Sequence, residues 1–252
     1  IMKNQAFKIL KINWNKIKFR IFNNYLSITT NVLHKINHTL SKAKYSKTFD
    51  NYKKNSNIVN SLKEKGFVMK TNSKASNLEI LAPIISKNFD EKKNLIYHDA
   101  YISYLNPQIL DQGLLLKIFD DELIDLLELY FNSSFQIYSY HIYRVEENNK
   151  DDKVSHLWHV DNSTKHSIKL MFYLDDADID SGAMLIVPKK KTKEIFQKGL
   201  NKREDFHIHQ TEFSSQIETC HGKFGDYLIF QNSNCLHRIN KPKKLKRDVI
   251  NI

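Results

Sequence analysis

The 252-residue chain is 41% hydrophobic and 12% aromatic, enough to bury a sizeable core and too apolar for a disordered chain. Its formal charge of +11 is unevenly spread: residues 1–75 carry sixteen Lys and Arg against Asp50 and Glu64, a formal +14, which leaves the rest of the chain at −3. An enzyme acting on nucleic acid carries its basic field around the active site, so this distribution argues against nucleic acid as substrate.

In chain order, residues 1–55 form a basic, Asn-rich extension. Phe7, Leu10, Trp14, Ile17 and Ile21 follow helical spacing there, with Ile9, Ile12 and Phe19 off the stripe. The expectation is a helix packed on the catalytic domain, with weak peripheral membrane contact as a second role. Lys8, Lys11, Lys16, Lys18 and Arg20 interrupt every apolar run, so no secretory signal is visible, and no stretch reaches the roughly 18 apolar residues of a membrane span. Two cysteines, Cys220 and Cys235, suit a reducing, cytoplasmic setting without a disulfide.

Residues 56–252 read as one catalytic domain. Ser56 or Asn57 starts a helix that Gly66 stops, and Phe67 opens extended structure. Asp120 or Asp121 starts a second helix ending near Asn132. From Phe135 onward strands dominate, expected at 135–145, 155–161, 167–174, 183–187, 215–220, 226–230 and 247–252, with a short helix or lid over 191–200. The expected class is mainly β with flanking helices.

One ordered set names a chemistry: His159-Val160-Asp161, then His237, then Arg247. Two imidazoles and one carboxylate on one face hold half of an Fe(II) octahedron and leave the other half open. Residues i and i+2 of an extended segment point the same way, roughly 6–7 Å apart, so His159 and Asp161 converge only if Trp158–Asp161 is strand or strand edge. With 11 His and 17 Asp one His-x-Asp match is no surprise; the context carries the weight. The triplet precedes the apolar run 168–174, and His237 follows the turn-and-strand 225–230. Arg247, one of five Arg, offers a fork suited to an oxo acid's distal carboxylate.

Lys169, Tyr143 and Tyr173 are strand residues whose polar tips could enter the same pocket, the first two reaching the co-substrate. His156 is expected to line the pocket or be solvated, because on a strand it faces away from His159. His207 and His209 share a face as an alternative imidazole pair but lack a matching carboxylate. Trp158 reads as core, and Asp175, Asp176, Asp178 and Asp180 miss the calcium-loop spacing and read as a solvated turn.

The segments Ser155–Asp161, Lys169–Leu174, Ser181–Pro188, Gly225–Phe230 and His237 to Arg247, with the opening Asn57–Val68, together resemble the phytanoyl-CoA dioxygenase-like branch of the Fe(II)/2-oxoglutarate oxygenases over roughly residues 56 to 252. Two departures are Lys189-Lys190-Lys191 after Pro188, where relatives usually have Gly-Ser-His, and Val249, where many have a hydroxyl. The resemblance implies a double-stranded β-helix (a jelly-roll, cupin-like core) with Fe(II) held by His159, Asp161 and His237 and 2-oxoglutarate by Arg247. It also implies O₂-dependent hydroxylation of a C–H bond in a small or carrier-linked metabolite. Asp161 itself favours hydroxylation over halogenation, since a small residue there would leave room for halide. Three other readings stay open: a nucleic-acid- or protein-modifying oxygenase docked through the basic extension, a cupin-type metal protein without oxo-acid chemistry, and a non-catalytic binding module.

Overall fold

A computed structural model describes residues 55–71, 76–98, 102–110, 112–147, 154–163, 167–200, 202–243 and 246–252. The expected helix at residues 7–21 and the division at residue 55 therefore lie outside, or at the border of, the described residues. The first elements are helix α1 (Ser56–Lys65), strand β1 (Phe67–Lys70) and helix α2 (Ser76–Asp90). Strands β2 (Leu95–His98) and β3 (Ile102–Leu105) follow, then α3 (Gln112–Leu116), α4 (Asp121–Phe131) and β4 (His141–Val145). Next come β5 (Lys169–Tyr173), β6 (Met184–Ile186), α5 (Lys189–Gln197) and α6 (Arg203–Ile208). The chain closes with β7 (Glu218–Cys220), β8 (Tyr227–Phe230), β9 (His237–Ile239) and β10 (Arg247–Asn251).

The strands form two antiparallel sheets, one of seven strands in the order β1-β8-β5-β10-β4-β3-β2 and one of three in the order β7-β6-β9. Alternation along the strands of the large sheet divides its neighbours. Ile142, Leu170, Phe172, Ile229 and Ile250 pack outward against Leu62, Leu81, Ile85, Leu123 and Leu127 of the helices. Tyr143, Val145, Met171, Tyr173 and Val249 pack inward against Met184, Ile186, Cys220 and Ile239 of the small sheet. This two-layer sandwich with helices on one face is the expected jelly-roll class. A third cluster, with Trp158, Leu185, Val187, Phe206 and Phe213, closes the far side of the small sheet.

On the helix-facing side, Arg144 and Asp248 form a buried two-pronged ion pair, Nε to Oδ1 at 2.6 Å and Nη2 to Oδ2 at 2.7 Å. It locks β4 to β10, neighbouring strands in the middle of the sheet. Such forked geometry fixes register as well as adding energy.

Local differences from the sequence reading have physical causes. Residues 135–140 are not strand: Phe135, Ile137 and Tyr140 pack on the outer core without ladder pairing, and the Tyr140 hydroxyl donates to the Pro107 carbonyl. Residues 155–161 are not a sheet strand either, since Val154–His156 is a 3-10 turn followed by one isolated bridge. That turn buries His156 with Nδ1 3.2 Å from the Ile239 carbonyl, so it neither lines a pocket nor faces solvent. The segment expected as strand from 215 is a 3-10 helix through Gln216, and the expected 191–200 helix begins two residues earlier, at Lys189. Helix α2 was not anticipated because it contains Pro83, whose ring lies on the exposed face while Leu78, Leu81, Ile85 and Phe89 form the buried stripe.

Gly66 caps α1 in the left-handed region (φ 91°), and a Cβ there would collide with the Cys235 sulfur and Lys189 Cβ. Gly66→Ala is expected to cost about 2–4 kcal/mol through strain and overpacking, read as a lower urea midpoint at unchanged slope.

Candidate metal centre

His237 lies on β9, opposite Ile186 of β6, and its free edge faces the chain at His159. The two residues exchange both backbone hydrogen bonds, His159 N–H to His237 O at 3.0 Å and His237 N–H to His159 O at 2.9 Å. Residues directly opposite in such a pair send their side chains to one face, and the two imidazoles stand 4.4 Å apart between ring centres. Asp161 N–H donates to the Asn232 carbonyl at 2.9 Å, which keeps the segment extended for two more residues and returns the Asp161 side chain to the same face. The expectation of a strand edge holds in this reduced form, one bridge instead of a ladder.

One ligand atom from each of His159, Asp161 and His237 lies within 4.8 Å of the other two. His159 Nε2 is 3.7 Å from Asp161 Oδ1, and His237 Nε2 is 3.8 Å from Asp161 Oδ2. Each imidazole has Nδ1 against a carbonyl two residues earlier in the chain, Leu157 O at 2.7 Å and Cys235 O at 2.8 Å. That contact needs a proton on Nδ1, so both Nε2 lone pairs point into the space in front of the carboxylate. Fixing the tautomer in this way is what a metal-binding imidazole requires.

Burial pushes both imidazoles down from their ordinary value, His237 the further, helped by the neighbouring His159. Burial would raise the Asp161 carboxyl, but His237, Lys169 and the Asn232 amide more than offset it and hold it low. Lys169 is the dependable partner of these, because His237 is itself kept neutral. The Lys169 ammonium lies 2.6 Å from Asp161 Oδ2, and Asn232 Nδ2 donates to the same oxygen at 3.0 Å. Nothing in the sequence marked Asn232. Lys169, expected at the co-substrate, meets the carboxylate first.

A pH dependence follows. Neutral buried imidazoles bind fewer protons folded than unfolded, so without metal the fold loses stability as pH falls below about 6.5, and nothing from this source changes above it. At pH 5.5 the His237 imidazole, pushed down to about 3, contributes a loss of about 1.4 kcal/mol, and His159 acts in the same direction. Urea titrations of chelator-treated protein at pH 7.5 and 5.5 check this, and His237→Gln should flatten the dependence.

Arg247 stands on β10 two residues before Val249, whose side chain is in the core between the sheets. It is 0% exposed, and none of its three guanidinium nitrogens has a hydrogen-bond partner among the described residues. The Tyr173 ring lies 6.0 Å from its guanidinium carbon. Tyr143 is close enough to feel the charges of both Arg247 and Asp161, though burial dominates and pushes its hydroxyl well above the ordinary range. Arg247, Tyr143 and the metal-ligand set therefore meet in one region. The alternative pair falls elsewhere: His207 is on α6, and His209 Nδ1 lies 2.6 Å from Glu212. Asp178 caps its own turn, accepting from the Asp180 and Ser181 amides, as the solvated-turn reading expected. Both cysteines are free and buried. No helix among the described residues is long and apolar enough to cross a membrane.

The family model for phytanoyl-CoA dioxygenase (PhyH) matches residues 148–238, a segment that holds all three candidate ligands and stops short of Arg247. Over that segment the chain resembles phytanoyl-CoA dioxygenase. Solved structures with the same fold include the α-ketoglutarate-dependent epimerase SnoN from nogalamycin biosynthesis, 13% identical, TM-score 0.58, covering 78% of this chain and 80% of that one. Iron-bound EctD from S. alaskensis is 12% identical, TM-score 0.58, covering 78% and 74%. The carbocyclase SnoK, also from nogalamycin biosynthesis, is 15% identical, TM-score 0.54, covering 81% and 84%. No curated protein matches the sequence. The residues present fit Fe(II) and an oxo acid: a neutral N,N plus carboxylate donor set for the metal, and for the acid a buried guanidinium without a hydrogen-bond partner among the described residues.

Proposed function

We propose that this chain is an Fe(II)- and 2-oxoglutarate-dependent dioxygenase that hydroxylates a C–H bond of a small or carrier-linked metabolite. The observation that carries this is Arg247, a buried guanidinium without a hydrogen-bond partner among the described residues, which shares Tyr143 as a neighbour with Asp161 of the candidate ligand set. A buried unpaired charge is costly, and a dianionic ligand removes that cost. This separates the reading from a cupin-type metal protein, which has no use for a buried arginine beside its metal.

When bound, Fe(II) supplies open coordination positions and the redox chemistry that couples oxidative decarboxylation of 2-oxoglutarate to substrate oxidation by O₂. The chain does the rest. His159 and His237 present fixed Nε2 lone pairs, and Asp161 presents Oδ1 while Lys169 and Asn232 hold Oδ2. Arg247 grips the distal carboxylate of the oxo acid, with Tyr143 and Tyr173 beside it excluding water. A groove of about 340 Å³, lined by Glu79, Pro83, Ser86 and Phe224 among others, lies on the helix-facing side and contains none of these residues.

An anaerobic titration with Fe(II) and 2-oxoglutarate, followed by succinate release with candidate substrates, tests the reading. The expected result is one iron and one oxo acid per chain, with succinate stoichiometric to an oxygenated product. Product formation without oxygen incorporation would replace hydroxylation by another oxidation, and absence of oxo-acid binding would revive the cupin alternative.

A further inference from the structure

Three tyrosines form a ladder from the metal centre to the edge of the large sheet. Tyr143 of β4 is directly opposite Tyr104 of β3, and Tyr104 is directly opposite Tyr97 of β2. Ring centres are 5.6 Å apart for the first pair and 6.0 Å for the second. Tyr143 and Tyr104 belong to the face that looks at the small sheet, while Ile142 and Leu105 of the same strands face the helices.

Simple alternation would not put Tyr97 on this ladder. Leu95, two residues earlier, packs against the helix-side core, so an unbroken strand would send Tyr97 the same way. A register irregularity between Leu95 and Tyr97 skips Ile96 and turns Tyr97 onto the tyrosine face. Bulges on edge strands commonly serve to re-aim one side chain near a site. Exposure then rises stepwise outward: Tyr143 3%, Tyr104 half-buried, Tyr97 50%.

The inner end of the ladder is positively charged. Lys169, about one-third exposed, sits beside Asp161. His141 meets Tyr104 edge to face at 6.1 Å, and burial together with the Lys169 charge keeps it neutral. With a dication held by the triad and a dianion held by Arg247, Lys169 offsets the Asp161 carboxylate and the Arg247 charge leaves the centre slightly positive as a whole.

Resting on the reading just given for the centre, we propose that its substrate is a small anion bearing a flat unsaturated ring, packed against the edge-to-face pair Tyr104 and Tyr97 with its charge toward Lys169. Ring faces favour offset or edge-to-face partners over saturated ones, and the positive centre selects the anion.

The test uses protein loaded with Mn(II) and 2-oxoglutarate and three matched probes: indole-3-acetate, indole-3-acetamide and cyclohexylacetate. Mn(II) broadening of probe proton signals reports binding near the centre. Indole-3-acetate should bind best, weakened about five- to tenfold by Tyr104→Ala and about threefold by Tyr97→Ala, and restored by Tyr104→Phe. Mn(II) and 2-oxoglutarate affinities should stay unchanged in these variants, which also reports an intact fold. Equal broadening of all three probes, broadening of none, or full indole-3-acetate affinity in Tyr104→Ala would overturn the inference. Failure of the unmutated protein to bind Mn(II) or 2-oxoglutarate would overturn the oxygenase reading itself and this inference with it, a result the metal titration reports separately.

Discussion

Replacing Arg247 by Met should make the ligand-free protein more stable and nearly abolish its grip on 2-oxoglutarate. The guanidinium is 0% exposed without a hydrogen-bond partner among the described residues. Exchanging a buried unsatisfied charge for a well-packed apolar chain of similar length stabilises by about 1–4 kcal/mol in comparable cases. Losing the charge pair with the oxo acid costs about 2–5 kcal/mol of binding, a weakening of about thirtyfold to several thousandfold. The two effects have opposite signs, which separates this outcome from general damage. Urea denaturation and calorimetric titration with 2-oxoglutarate on the Mn(II)-loaded variant measure them. A variant that is less stable yet binds the oxo acid normally would assign Arg247 to the core.

Asp161→Asn should lower Mn(II) affinity by more than about a hundredfold, beyond the roughly 10- to 100-fold loss usual for outer partners of a metal ligand. Lys169→Met should fall within that outer range, because its ammonium pairs with Asp161 Oδ2 and is not one of the three candidate ligands. The two residues act as a unit, so the double variant should lose less than the two single losses combined. Additive losses in calorimetric Mn(II) titrations would mean that Lys169 does not act through Asp161.

What could be read from the sequence follows from what chemistry and periodicity demand. The triad was legible because a facial metal site needs specific residue types, and the i, i+2 spacing of His159 and Asp161 survives even though the surrounding segment is a turn and a single bridge. Arg247 stood out as a candidate by its rarity among 34 lysines. The partners that tune the triad were not. Leu157 O, Cys235 O and Asn232 act through backbone carbonyls or across 71 residues of chain, where no local pattern points. Strands β2 and β3 were missed because each is four residues long and the bulge at Ile96 breaks the period-2 signal. The PhyH match ends at residue 238, so the arginine that decides between oxygenase and cupin readings rests on its burial alone.

Arg247 belongs to β10, flanked by β5 and β4 in the large sheet, whereas His237 belongs to the small sheet and carries His159 with it through the bridge. A molecule held at one end by the arginine and at the other by the imidazole side therefore spans both layers like a tie-rod. Loading should damp the breathing of one layer against the other, beyond any gain in affinity. Amide exchange along His237–Ile239 should slow several-fold when metal and oxo acid are both present and change little with either alone, because only the pair completes the rod. The small sheet has three strands and few ladder bonds of its own, so its rigidity in the working enzyme would be borrowed from the co-substrate and returned at each turnover.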